Sequence, residues 1–88
     1  MSKNYRVSVV TTDITKSTTI ASDRRYGGWL AANQGTSAAT VLGFEIQPGE
    51  ALDMRKEIPI GSTFDTAIPI VINPGGLVRL MRIQAVEI

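Results

Sequence analysis

Cysteine and histidine are both absent from the 88 residues. Without cysteine there is no disulfide framework, and without either residue the usual thiolate and imidazole metal ligands are gone. The missing histidine also removes the commonest general base near neutral pH. Charge of one sign is lacking as well: nine Lys and Arg stand against eight Asp and Glu, for a formal net charge of +1. A protein that lives on phosphate contacts carries a clear basic excess, so nucleic acid is not the expected partner. Aromatic residues are few, one Trp, two Tyr and two Phe, a thin supply for stacking bases. No window approaches the ~20 apolar residues that cross a bilayer as a helix. MSKNYRVSVV has no apolar run long enough for a signal peptide. These absences predict a soluble protein made and used inside a cell, or assembled there into something larger. One domain of this size buries only roughly 60–65% of its unfolded surface, so with no covalent staple oligomerisation is the expected further source of stability.

What is present is a series of short β-forming runs separated by turn signals. Residues 38–58, AATVLGFEIQPGEALDMRKEI, form the centre. An apolar run from Ala38 to Phe44 meets Gln47-Pro48-Gly49-Glu50 and returns as Ala51 to Ile58. Proline presets its own backbone angle and glycine supplies a positive one, so the pattern predicts a β-hairpin or a sharp strand-to-strand corner.

Before that centre, Asn4 to Thr11 is expected as a first strand, with Tyr5, Val7 and Val9 on one face and Arg6, Ser8 and Val10 on the other. Thr11 to Ser22 is dense in Ser and Thr, whose hydroxyls compete for backbone hydrogen bonds. It reads as a polar loop ending in a short strand about Ile20. Asp13 and Asp23 stand near its ends without recognisable ligand spacing, which makes a solvated turn a better reading than a cation or sugar site. In Arg24 to Asn33 the apolar half predicts a core strand, and Gly27-Gly28 predicts a bulge or a close backbone approach. Trp29 follows that break, and a small domain needs its one large aromatic for burial. Asn33 to Ser37 reads as a turn.

After the centre, Ile58 to Asp65 reads as an irregular corner or edge because Pro59 cannot donate to a ladder. Ala67 to Ile72 is a short strand whose Pro69 argues for an edge or bulge position. Asn73-Pro74-Gly75-Gly76 is the strongest turn signal in the chain. Leu77 to Ile88 closes the chain as a long strand with apolar residues on both faces, one expected against the core and one against a neighbouring subunit; a bulge at Leu80-Met81 that switches the faces is the near alternative, and a helix the third. The sum is an all-β fold over 1–88, a small antiparallel sandwich or jelly-roll-like barrel of about seven or eight short strands, with residues 1–4 as a flexible arm.

Sites for chemistry are scarce. There is no phosphate-binding glycine loop, no paired-histidine metal motif and no nucleophile elbow. Glu45, Glu50, Asp53 and Glu57 lie near the centre, but nothing separates two of them into different environments, as acid–base catalysis requires. Interleaved with Arg55 and Lys56, they read as a solvated strand surface or an ion-pair edge. No enzyme and no cofactor are expected. Arg24, Arg25, Tyr26 and Trp29, with Arg79 and Arg82, form an alternative face for single-stranded nucleic acid, and a carbohydrate module is the companion alternative.

Residues 24–83 resemble small all-β virion structural proteins of tailed bacteriophages. The matching pieces are Leu30-Ala31-Ala32-Asn33-Gln34-Gly35, Ala39-Thr40-Val41-Leu42-Gly43, Gln47-Pro48-Gly49-Glu50-Ala51-Leu52 and Leu77-Val78-Arg79-Leu80. The resemblance implies a capsid decoration or cement protein, or a head-fibre or connector component. It also implies a virion location after assembly in the host cytoplasm, self-association, often as a trimer, and contact with a major capsid protein or other virion subunit. No catalytic residues carry over and no membrane is involved. The chain lacks the glycine-rich or coiled extension of a fibre, which favours decoration or cement. On this basis the expected subunit or capsid interface is Leu77, Arg79, Met81, Ile83, Arg82 and Arg55.

Overall fold

The computed structural model describes residues 4–23, 26–55, 63 and 66–88, with Glu87 described by its backbone alone. Among these, eight strands form two four-stranded sheets: β1 (Tyr5–Ile14), β2 (Thr18–Ile20), β3 (Trp29–Asn33), β4 (Ala39–Val41), β5 (Phe44–Ile46), β6 (Ala51–Asp53), β7 (Ile68–Ile72) and β8 (Val78–Glu87). Sheet A has the order β1-β8-β3-β6 and sheet B the order β2-β7-β4-β5. Every pairing is antiparallel. The fold is a β-sandwich, and of the two architectures expected the closed barrel is not the one adopted.

The core lies between the sheets. Sheet A contributes Ile14, Trp29, Ala31, Val78 and Leu80; sheet B contributes Ala39, Val41, Ile46, Ile68 and Ile70. Alternation explains the choice. In β3, Trp29, Ala31 and Asn33 are buried while Leu30 and Ala32 are half-buried on the opposite face, the period-2 signature of a strand with one face on the core.

The central stretch folds differently from a single hairpin. Its apolar run reverses early, at Leu42-Gly43, where both residues have positive φ (51° and 81°), as a two-residue type I′ hairpin turn requires. That turn joins β4 to β5 within sheet B. Pro48-Gly49 is the corner instead: it carries the chain from β5 in sheet B to β6 in sheet A. Gly49 at φ 86° and Glu50 N donating to the Gln47 carbonyl at 2.9 Å make it a type II turn. The returning strand is only Ala51–Asp53, and Lys56 to Ile58 lie outside the described residues.

Three further expectations are corrected. Thr11 to Ile14 belong to β1 rather than to a polar loop, because each pairs in register with β8 from Met81 to Val78. The ladder to β8 takes the backbone groups of Thr12 and Ile14, so their strand pairing is not lost to competing hydroxyls. Pro69 sits in β7, inside sheet B between β2 and β4, not at an edge. Its carbonyl accepts from Leu42 N at 2.9 Å, so the side lacking an N–H faces β4 where β4 has already turned away. Asn4 is no arm residue, since its carbonyl accepts from Ile88 N at 2.9 Å; residues 1–3 lie outside the described residues. The irregular corner read at Ile58 to Asp65 also lies outside them, apart from Thr63.

Gly27-Gly28 is the bulge that was expected. Gly27 N donates to the Ile83 carbonyl at 2.8 Å and Ile83 N to the Gly28 carbonyl at 2.9 Å, so two residues of one chain face one of the other. The same glycines allow a close approach: a Cβ on Gly28 would lie 2.9 Å from Arg55 Cα. At the far end of the sandwich the turn 34–37 is tied to the turn 73–77. Gln34 N donates to the Leu77 carbonyl at 2.8 Å, Thr36 N to the Gly75 carbonyl at 3.1 Å and Asn73 Nδ2 to the Ala38 carbonyl at 2.9 Å.

Candidate interaction surface

Strand β8 divides its side chains between two environments. Val78 and Leu80 point into the sandwich and are fully buried. Arg79, Met81, Ile83 and Ala85 point to the outer face of sheet A, where Arg79 is exposed and the other three are half-covered by neighbours. The register places Val9 against Ile83, Val7 against Ala85, and Met81 between Thr11 of β1 and Leu30 of β3. One half of this outer face is therefore apolar, with Val7 49% and Val9 58% exposed.

The other half carries ion pairs. Arg79 donates from Nε to Asp13 Oδ1 at 2.9 Å and from Nη2 to Oδ2 at 3.3 Å. This fork, more than simple charge attraction, holds the Asp13 carboxyl below its ordinary value and raises Arg79. Both side chains are nearly half-exposed, so water screens the pair and its main effect is orientation. Asp53 on β6 takes Arg55 in the same way, Nε at 2.9 Å and Nη2 at 2.7 Å, and also accepts from Arg55 N. An apolar centre flanked by paired charges has the layout of a protein contact surface.

The ribbon of β1 and β8 runs past the rest of the sandwich. Strand β3 pairs with β8 only from Val78 to Arg82, while β1 pairs with β8 over its whole length to Tyr5. Among the described residues, 5–8 and 84–87 form ladder pairs only with each other. The molecule is correspondingly long, 49 × 22 × 18 Å.

At the root of this ribbon, on the inner face, is a small cleft lined by Ile20, Asp23, Tyr26, Trp29, Ile68 and Arg82 among others. The Arg82 guanidinium lies 4.3 Å from the Tyr26 ring centre, a cation–π contact worth about 0.5–2 kcal/mol. Its Nε is enclosed with no hydrogen-bond partner among the described residues. The space there is ≈ 10 Å³, that of one water-sized sphere and too small for an organic ligand.

The expected interface residues thus separate. Arg79, Met81 and Ile83 share the outer face of sheet A. Arg82 does not belong with them: period-2 alternation turns it inward over Tyr26. Leu77 precedes the strand, half-buried, where its carbonyl is held by Gln34 N. Arg55 is exposed beyond β6 and engaged with Asp53.

Of the alternative nucleic-acid face, Tyr26 and Trp29 lie among the described residues. Trp29 is 1% exposed in the core and offers no ring to stack on, and Arg79 and Arg82 point to opposite sides of sheet A. Arg24 and Arg25 lie outside the described residues. The carboxylates of the central stretch serve the corner: Gln47 N donates to Glu50 Oε1 and Gln47 Nε2 to Glu45 Oε1, both at 2.7 Å. All three residues are exposed, and Glu57 lies outside the described residues.

Two features went unread in the sequence. Asn33, read as a turn residue, is a fully buried polar side chain. Strand β1 is a long sheet edge, and its only sequence signal was ten residues without proline or glycine and with valines on both faces. No family model matches this chain, no curated protein matches it in sequence, and no solved structure matches it in fold.

Proposed function

We propose that this chain is a non-enzymatic assembly protein, a decoration or cement subunit that stabilises a phage head by packing against itself and the shell. The observation that carries the reading is the outer face of sheet A, where exposed Val7 and Val9 and half-covered Met81 and Ile83 make an apolar strip beside two paired charges. A sheet with a second apolar face has a use for it only in contact with another surface. The resemblance over residues 24–83 supplies the kind of partner, a capsid lattice.

The test uses particles of the virus whose genome encodes the chain, stripped of this protein. Added protein is expected to co-sediment with the shells, and Ile83→Glu to abolish co-sedimentation while keeping the circular dichroism of the fold. Phe44→Glu, on the exposed edge of sheet B, is expected to leave binding intact. Failure of the unaltered protein to bind, or equal binding by Ile83→Glu, overturns the reading.

A further inference from the structure

Four strands end the two sheets, and three of them, β2, β5 and β6, are three residues long. Short edges are protected against pairing with other chains. The fourth, β1, is ten residues long. It has no proline, no glycine and no bulge, its pairing with β8 is unbroken, and Val7 to Thr12 carry no charge. Apart from Arg6 and Asp13 near its ends, no device that blunts a sheet edge is found there among the described residues.

The hydrogen bonds say which backbone groups are free. Ile88 N donates to the Asn4 carbonyl, and the register pairs residues whose numbers sum to 92. Asn4–Ile88 is therefore a hydrogen-bonded pair, and the even-numbered residues of β1 turn their N–H and C=O toward β8. The opposite side of β8 agrees, because odd-numbered Ile83 directs its N–H and C=O to Gly27 and Gly28. Tyr5, Val7, Val9, Thr11 and Asp13 consequently aim their backbone N–H and C=O outward, away from the sheet.

We propose that β1 is a self-association edge: two copies pair β1 to β1 antiparallel about a two-fold axis through Val9, joining two four-stranded sheets into one of eight strands. Several observations select a second copy as the occupant. Antiparallel pairing keeps the Arg6 and Asp13 of one copy away from their counterparts in the other, whereas a parallel in-register pairing would set like charge beside like. With Val9 on the axis, Val7 faces Thr11 of the partner and Tyr5 faces Asp13 of the partner, with no like charges opposed. All five outward-facing residues find partners, about ten further backbone hydrogen bonds. The bare ribbon 5–8/84–87, two strands that are marginal alone, becomes part of a four-stranded section. A two-fold is also the commonest symmetry of small homo-oligomers. The pairing rests on the assembly reading in one respect, that the joined sheets present their outer faces side by side as one docking surface.

Sedimentation of the pure protein at micromolar concentration is expected to show a dimer. Val9→Pro deletes an outward N–H, not one of the β1–β8 ladder, and is expected to give a folded monomer. Should that variant fail to fold, a second variant decides. The chain has no cysteine, so Val9→Cys places a single thiol on the axis. Cα atoms of a hydrogen-bonded antiparallel pair lie about 5.5 Å apart, within disulfide reach. Mild oxidation is expected to yield a covalent dimer, whereas Phe44→Cys on sheet B yields none. A monomer at all concentrations, a trimer, or a dimer indifferent to Val9→Pro and not captured by Val9→Cys overturns the proposal. Shell binding is a separate measurement: a dimer that ignores capsids sinks only the functional reading, and a monomer that binds them sinks only this one.

Discussion

Asn33 shows how one side chain can hold a corner of the sandwich together. It is 1% exposed, the only buried polar or charged residue among those described. Its Nδ2 donates to the carbonyls of Ser37 and Ile46, both at 2.9 Å, and its Oδ1 accepts from Gly35 N at 3.0 Å. Its backbone N–H and C=O are taken by Glu50 and Gly49. Asn33→Ala would leave three groups without partners, at least the Ile46 carbonyl among them buried. The expected loss is about 2–4 kcal/mol, read from urea unfolding. Asn33→Asp should cost at least as much, since it keeps the acceptor but turns a carboxylate toward two carbonyl oxygens. Two glycines give a contrast. Gly43→Ala meets open space, so only the positive φ opposes it, at about 1 kcal/mol. Gly35→Ala would put a Cβ against Leu77 N and 2.8 Å from the Gly75 carbonyl. Backbone must move there, and the expected cost is above about 2 kcal/mol in the same measurement.

Strand β8 shows what an element adds to its residues. Its two faces read alike in sequence, Leu80 beside Met81 and Arg79 beside Arg82, yet one face makes the core and the other the outer surface. Leu80→Ala removes a fully buried side chain and should cost about 3 kcal/mol, lowering Tm by more than about 10 °C in a domain of this size. Met81→Ala, on the half-covered outer face, should cost under about 1 kcal/mol in the monomer. Calorimetry of the two variants in a Val9→Pro background separates core from surface. The arginines divide by the same parity: Arg79 reaches Asp13 across the strand pair, and Arg82 folds over Tyr26. Charge patterning alone could not assign them, because alternation tells which residues share a face but not which face is inside.

On the scale of the whole molecule, stability is unevenly distributed. Among the described residues, the sandwich between the turns at 34–37 and 73–77 and the cleft at Arg82 has two layers, while the ribbon beyond it has one layer and two strands. Amide exchange should follow that division. In Val9→Pro the ladder amides of Arg6 and Ser8 are expected to exchange near their unprotected rates, and those of Thr12 and Ile14 slowly. In the unaltered protein β1–β1 pairing should slow Arg6 and Ser8 by at least about tenfold and protect the outward amides of Val7 and Thr11. Equal exchange in the two proteins would show that no second copy covers the edge.

Local chemistry was legible from the chain itself. The positive φ demanded at Gly49, the turn at Asn73-Pro74-Gly75-Gly76, the bulge at Gly27-Gly28, the core place of Trp29 and the strand character of 77–88 follow from covalent restrictions and from the need of a small domain to bury its large side chains. So did the all-β class, because turn signals at short spacing leave no room for helices. Sheet membership was settled only by tertiary structure. Leu42-Gly43 became a hairpin and Pro48-Gly49 a crossing between sheets because the partner strands, β7 for β4 and β3 for β6, lie far away in sequence. The same holds for the inward turn of Arg82, the burial of Asn33 and the free edge of β1. Hydrogen-bond partners and solvent exposure are properties of the assembled sheets, and a strand carries no mark of which neighbour it will lack.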